Sequence, residues 1–166
     1  MWTERGLAFS KVHEARFIID EGVEAILNLL GPSPVEFEVE RILRMGACGT
    51  KGRRTSAEDV YRRLSMQKHE IGNVLRENGM PGVAKLLAWG HLIPVIGSLK
   101  LRKGESPSAS MDKLSLHWGF DSGGGISQRC KHHTGVYPTA ITGLQDLTNR
   151  FVAEWQAPPN LKGRGR

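Results

Sequence analysis

The densest group of chemically capable side chains lies between residues 113 and 137, where Cys130, His132 and His133 follow His117 and Asp121. Thiolate, imidazole and carboxylate are metal ligands, and imidazole also moves protons near neutral pH. The spacing favours neither use. Structural zinc takes regularly spaced pairs such as C-x2-C with H-x3–5-H, and a single C-x-H-H supplies neither. Adjacent histidines diverge on most backbones, and no nucleophile stands at a recognisable distance from a base. No catalytic residue and no cofactor is assigned. A metal held by Cys130, His132 and His133, in a metal-dependent enzyme with its site near 117–133, ranks third among the functional readings. In the same segment Arg129, Lys131, His132 and His133 suit phosphate contact, with an exposed loop as the alternative.

Two other runs invite a chemical reading. Residues 46–55, G-A-C-G-T-K-G-R-R-T, combine three glycines with Lys51, Arg53 and Arg54. A nucleotide-binding P-loop needs Ser or Thr after its lysine and a buried strand before it. Lys51 is followed by Gly52 and no such strand precedes, so nucleotide binding is set aside. Cations on a mobile loop can neutralise nucleic-acid phosphates without fixed geometry; a plain surface loop is the other reading. Gly119-Phe120-Asp121-Ser122-Gly123-Gly124 is similar to the G-D-S-G-G of trypsin-like proteases except for the interrupting Phe120. No A-A-H-C element stands upstream, and the chain is short for two six-stranded barrels.

Residues 67–76 carry Gln67, Lys68, Asn73 and Arg76, side chains that hydrogen-bond base edges and phosphates. Two short helical patterns must position them, broken at Ser65-Met66. Val60 and Leu64 are four apart, as are Ile71 and Leu75, so each pair marks one face of its helix. Ser56 with Asp59 predicts a capping-box start, and Asn78-Gly79 a left-handed stop. Gln67, Lys68, Asn73 and Arg76 fall off the apolar face, with Arg62 and Arg63 beside them as positioning contacts.

The stretch from Ser56 to Gly79 resembles the helix-turn-helix of bacterial and phage DNA-binding proteins, a scaffold helix E-D-V-x-R-R-L followed by a recognition helix ending V-L-R-E-N-G. Two positions depart from the family pattern: Tyr61 where a small residue is usual, and Ser65 where glycine is usual at the turn. The resemblance implies a winged-helix or helix-turn-helix core in which residues 67–76 meet the major groove. An ordinary helical hairpin is the alternative.

Around this unit the chain reads as mainly α. Residues 8–30 form the longest helical pattern, capped by Ser10, with Phe17, Ile18, Val23, Ile26, Leu27 and Leu30 on its apolar side and Gly22 marking a bend or split. Gly31-Pro32-Ser33-Pro34 ends it. Residues 34–45 begin with a strand-like alternation but carry a serine cap, a first-turn proline and early glutamates, which favour a helix closing a three-helix core. Residues 83–103 admit two readings. One is a short helix to Trp89 followed by two strands, a small β wing with Lys100, Arg102 and Lys103 at its tip; the other is a continuous helix. Residues 104–112 read as a linker or mobile loop within a first unit of 1–103 and a second, loop-plus-helix region of 113–157. In that region the glycines at 123–125 suggest a turn. Residues 138–156 predict a last helix with Ile141, Leu144, Leu147, Phe151 and Trp155 on one side. Residues 158–166 form a basic tail.

The whole chain carries 23 Lys/Arg against 17 Asp/Glu, for a net charge of +6 and a pI near 9.6. The charge is uneven: residues 1–50 hold five Lys/Arg and eight Asp/Glu, leaving the excess of cations in the remainder. That pattern suits an acidic face turned to protein or solvent and a basic part that meets a polyanion. Two cysteines make no disulfide framework, the N-terminus lacks a secretion signal, and the apolar run 86–96 is too short and broken to cross a membrane; a cytoplasmic setting is expected. The leading expectation is a non-enzymatic nucleic-acid-binding protein, DNA ahead of RNA, acting as a regulator or a mobile-element or phage accessory factor. The alternative is a subunit of a larger ribonucleoprotein or nucleoprotein complex that tracks a backbone without reading sequence. Protein partners or self-association would use the acidic N-terminal helix or the C-terminal helix.

Overall fold

The computed structural model describes residues 4–48, 55–101 and 123–158. Their regular structure is helical: α1 (Glu4–Leu30), α2 (Glu36–Ala47), α3 (Ala57–Leu64), α4 (Lys68–Glu77), α5 (Val83–Leu101), α6 (Gly123–Thr134), a 3-10 turn (Pro138–Ala140) and α7 (Leu144–Gln156). The mainly-α expectation holds. No β wing is formed among the described residues, because 83–101 takes the helical alternative. The proposed linker at 104–112 and the basic tail beyond Pro158 lie outside them, as do His117 and Asp121.

The reason α5 is one helix lies in where it sits. Every residue from Leu86 to Gly97 is buried, and a helix apolar on all sides belongs at the centre of its fold. Helices α1, α2, α3, α6 and α7 all pack against it. Pro94 lies inside α5 and has no N–H to offer the Gly90 carbonyl one turn back. Enclosing contacts hold the helix together across that missing bond.

Glycines set how closely the neighbours approach. A Cβ on Gly90 would lie 2.1 Å from the Leu43 carbonyl oxygen, and one on Gly46 would lie 2.4 Å from that of Leu87. So α2 and α5 press backbone to backbone through a reciprocal pair of small residues. Gly22 does not split α1; it faces Ile93, whose Cγ2 would be 2.6 Å from an added Cβ. The buried stripe of α1 is Ile18, Ile19, Val23 and Ile26, and Phe17, expected on that side, is 67% exposed.

At the C-terminal end Trp89 stacks on Phe151 with ring centroids 5.4 Å apart and planes within 8°, and Trp155 meets the same indole edge-on at 6.3 Å. This cluster fastens α7 to α5. The last helix has the apolar side its sequence predicts, with Leu147, Phe151 and Val152 buried, but it starts only after the 3-10 turn and a break at residues 141–143.

The larger correction concerns α6. The glycine-rich run at 123–125 reads as a turn, yet it opens a helix. Ile126, Cys130, His133 and Thr134 are buried, a spacing of four, seven and eight residues that puts them on one face against the core. Tertiary burial outweighs the low propensity of three glycines. The Thr134 hydroxyl, 2.6 Å from the Cys130 carbonyl oxygen and accepting from the Val136 N–H at 3.2 Å, closes the helix.

Candidate nucleic-acid interface

The helix pair 57–77 is built as its sequence predicts. Ser56 Oγ accepts from the Asp59 N–H at 3.3 Å, and the Asp59 carboxylate accepts from the Ser56 N–H at 2.9 Å, which completes the capping box. The turn between α3 and α4 rests on Ser65, at φ +54, the only non-glycine residue with positive φ among those described. The Met66 N–H donates to the Tyr61 carbonyl at 3.1 Å, wrapping the end of α3 in a Schellman-type closure. Tyr61 is half-buried against the core. At the far end Gly79 takes φ +68, and the Asn78 amide donates to the Val74 carbonyl at 2.8 Å.

Two side chains, Ile71 and Leu75, are fully buried and anchor α4. Val74 is half-buried beside them, and Gln67, Lys68, His69, Glu70, Asn73, Arg76 and Glu77 are all exposed. Gln67 sits at the N-cap without spending its side chain there. Arg76 donates to the Asn73 amide oxygen, which ties the two together one turn apart. On α3, Arg62 and Arg63 are exposed, and Arg62 Nη2 donates to Asp59 Oδ1 at 2.6 Å. Thus Arg62, Arg63, Gln67, Lys68, Asn73 and Arg76 share one two-helix unit. Its charges balance: four Lys/Arg and four Asp/Glu fall between residues 57 and 79. The cations just before the pair in sequence, Lys51, Arg53 and Arg54, lie outside the described residues, as do Arg102 and Lys103. Lys100 falls in the last turn of α5.

Arg129 and Lys131 lie on α6, not in a loop, and they separate. Lys131 Nζ stands 4.5 Å from the centroid of the half-exposed Tyr137 ring. Arg129 instead lines a cleft of about 660 Å³ between the start of α5 and α6, formed by Gly82, Ala84, Lys85 and Ala88 on one side and Gln128, Arg129, His132 and His133 on the other. Sequence reading missed Lys85 and Gln128. The available signal was helical spacing: once 123–134 is a helix, Gln128, Arg129, His132 and His133 share a side.

His133 is the unusual member of this cleft. It is 8% exposed, and its Nδ1 has no hydrogen-bond partner among the described residues. Burial first, then the nearby charges of His132, Lys85 and Arg129, push its imidazole down to about 3, so it is neutral at pH 7. The His132 and His133 rings meet edge to face at 4.8 Å. Cys130 Sγ is buried 3.7 Å from the Thr134 hydroxyl. No three His, Cys, Asp or Glu side chains converge as a metal-binding set among the described residues.

Elsewhere on the surface α1 and α2 present acidic side chains. Arg44 joins them, its Nη1 donating to Asp20 at 2.6 Å and its Nε to Glu40 at 3.2 Å. Phe37 is 63% exposed, with the Arg41 guanidinium 5.6 Å above its ring. No described helix is long and apolar enough to cross a membrane. Compared with known proteins, the chain matches no family model, no curated protein and no solved structure.

Proposed function

We propose that this is a non-enzymatic nucleic-acid-binding protein that meets duplex DNA through α4, as a regulator or a mobile-element or phage accessory factor. The observation that carries this reading is the division of α4 into two faces. Ile71 and Leu75 fix it to the core, Asn73 and Arg76 project from the opposite side, and Gln67 and Lys68 are exposed at its N-terminal end. The B-DNA major groove admits one α-helix, where Arg pairs with guanine and Asn or Gln with adenine. The left-handed turn at Ser65 and the capping box before it delimit two short helices joined by a tight turn, an arrangement that a helix-turn-helix shares. Lys51, Arg53 and Arg54, just before α3 in sequence, supply the phosphate attraction that the charge-balanced pair lacks.

A second reading, a subunit of a nucleoprotein assembly that tracks a backbone without reading sequence, draws on the excess of cations after residue 50 and on the acidic α1–α2 surface with Phe17 and Phe37 exposed. Binding to duplexes of random and selected sequence across a salt series separates the two. Base readout predicts a preferred sequence whose advantage disappears in Lys68→Ala/Asn73→Ala/Arg76→Ala. Equal affinity for every duplex, with the triple variant unchanged, would rule out readout by α4 and favour the assembly.

A further inference from the structure

We propose that the cleft between the first turn of α5 and α6 is a phosphate-binding site, taking the oxyanion of a phosphate ester against Lys85, Arg129 and His133. It shares Arg129 with the nucleic-acid reading but does not depend on α4. Three independent features converge on an anion. The first is the end of α5: the amides at the start of a helix have no intrahelical acceptor, and the helix dipole places positive potential there. Gly82 and Ala84 flank that end with little bulk, so an oxyanion can come close to the backbone. The second is charge. Lys85 and Arg129 face the cleft from opposite helices, Gln128 and His132 add hydrogen-bonding capacity, and no carboxylate lines it among the described residues.

The third is His133. A buried imidazole with an unpartnered Nδ1 among the described residues is a polar group still owed a hydrogen bond. Burial, and after it the neighbouring His132, Lys85 and Arg129, disfavour its protonation; a phosphate oxygen would accept from the ring and offset the repulsion of the cations. A free phosphate ester and a polynucleotide backbone present the same oxyanion, so the ligand chemistry is common to both sources.

The test is a titration of the full chain with inorganic phosphate, then with a short DNA duplex, followed by nuclear magnetic resonance at the Ala84 and Lys85 amides and the His133 ring. Chloride at matched ionic strength is the control. The proposal predicts saturable shifts with a dissociation constant of about 1 mM or tighter, weakened about tenfold in Lys85→Met or Arg129→Gln. Shifts with phosphate assign the site to free phosphate or its esters; shifts with duplex alone assign it to a polymer backbone. No saturable shift with either, or shifts reproduced by chloride or untouched by both substitutions, would overturn it. The amides of α4 report separately: if the duplex moves the cleft and leaves α4 still, the groove-reading proposal fails and this one stands.

Discussion

His133 concentrates the electrostatics of this protein in one side chain. Its imidazole is buried beside His132, Lys85 and Arg129, and is held down at about 3 in the native state. In the unfolded chain it titrates near its ordinary value, so between those values the unfolded state binds a proton that the folded state refuses. Stability therefore falls as pH drops from about 6.5 toward 3, by on the order of 1 kcal/mol per pH unit. Chemical denaturation between about pH 4 and 6 should show this slope, and His133→Gln should lose it; an unchanged slope in the variant would assign the effect elsewhere. Asp146 works in the same direction at lower pH. The Thr142 N–H, then Arg150, hold its carboxyl below the usual range, a contribution lost as the carboxyl protonates. The residue types at this site were visible in the sequence. Their environment was not, because Lys85 and His133 are far apart in the chain and meet only when α5 and α6 pack.

Local signals were most legible at the element scale where side chains bond their own backbone. The capping box at Ser56–Asp59 and the stop at Gly79 appear as read, since both depend on neighbours in sequence. They were least legible where burial decides. Gly90-His91 and Gly97-Ser98 look like breaks between short elements, yet α5 runs through both, and through Pro94, because packing encloses it. The three glycines opening α6 look like a turn for the same reason. Gly72, inside α4, is a different case: a Cβ there would meet nothing within 4 Å. No close approach requires glycine at that position, so Gly72→Ala should stabilise the protein by about 0.5–1 kcal/mol through helix propensity. Thermal unfolding of the variant checks this. A lowered midpoint would mean that α4 is not held as a regular helix.

Taken whole, the molecule is a set of helices gathered on α5, with the α3–α4 pair at one side and the α5–α6 cleft formed by the same central helix. The contact of α2 with α5 is backbone to backbone, and its geometry predicts a sharp response. Gly90→Ala would drive a methyl group against the Leu43 backbone, which cannot yield as a side-chain tip can. A loss of about 3 kcal/mol or more is expected, at or above the upper end of ordinary overpacking, read as a lowered denaturation midpoint; a near-neutral variant would contradict the close crossing. Charge distribution belongs to this scale as well. An acidic first third and a basic remainder were plain in the sequence, whereas the balance of charge within the α3–α4 pair became significant only with the pair's boundaries fixed. Groove reading by α4 is tested most directly by amide chemical-shift mapping of the full chain with a selected DNA duplex. The largest shifts are expected from Gln67 to Arg76, reduced when Asn73 and Arg76 are replaced by alanine. A bound duplex that leaves those amides unmoved, or no binding to any duplex at low salt, would contradict it.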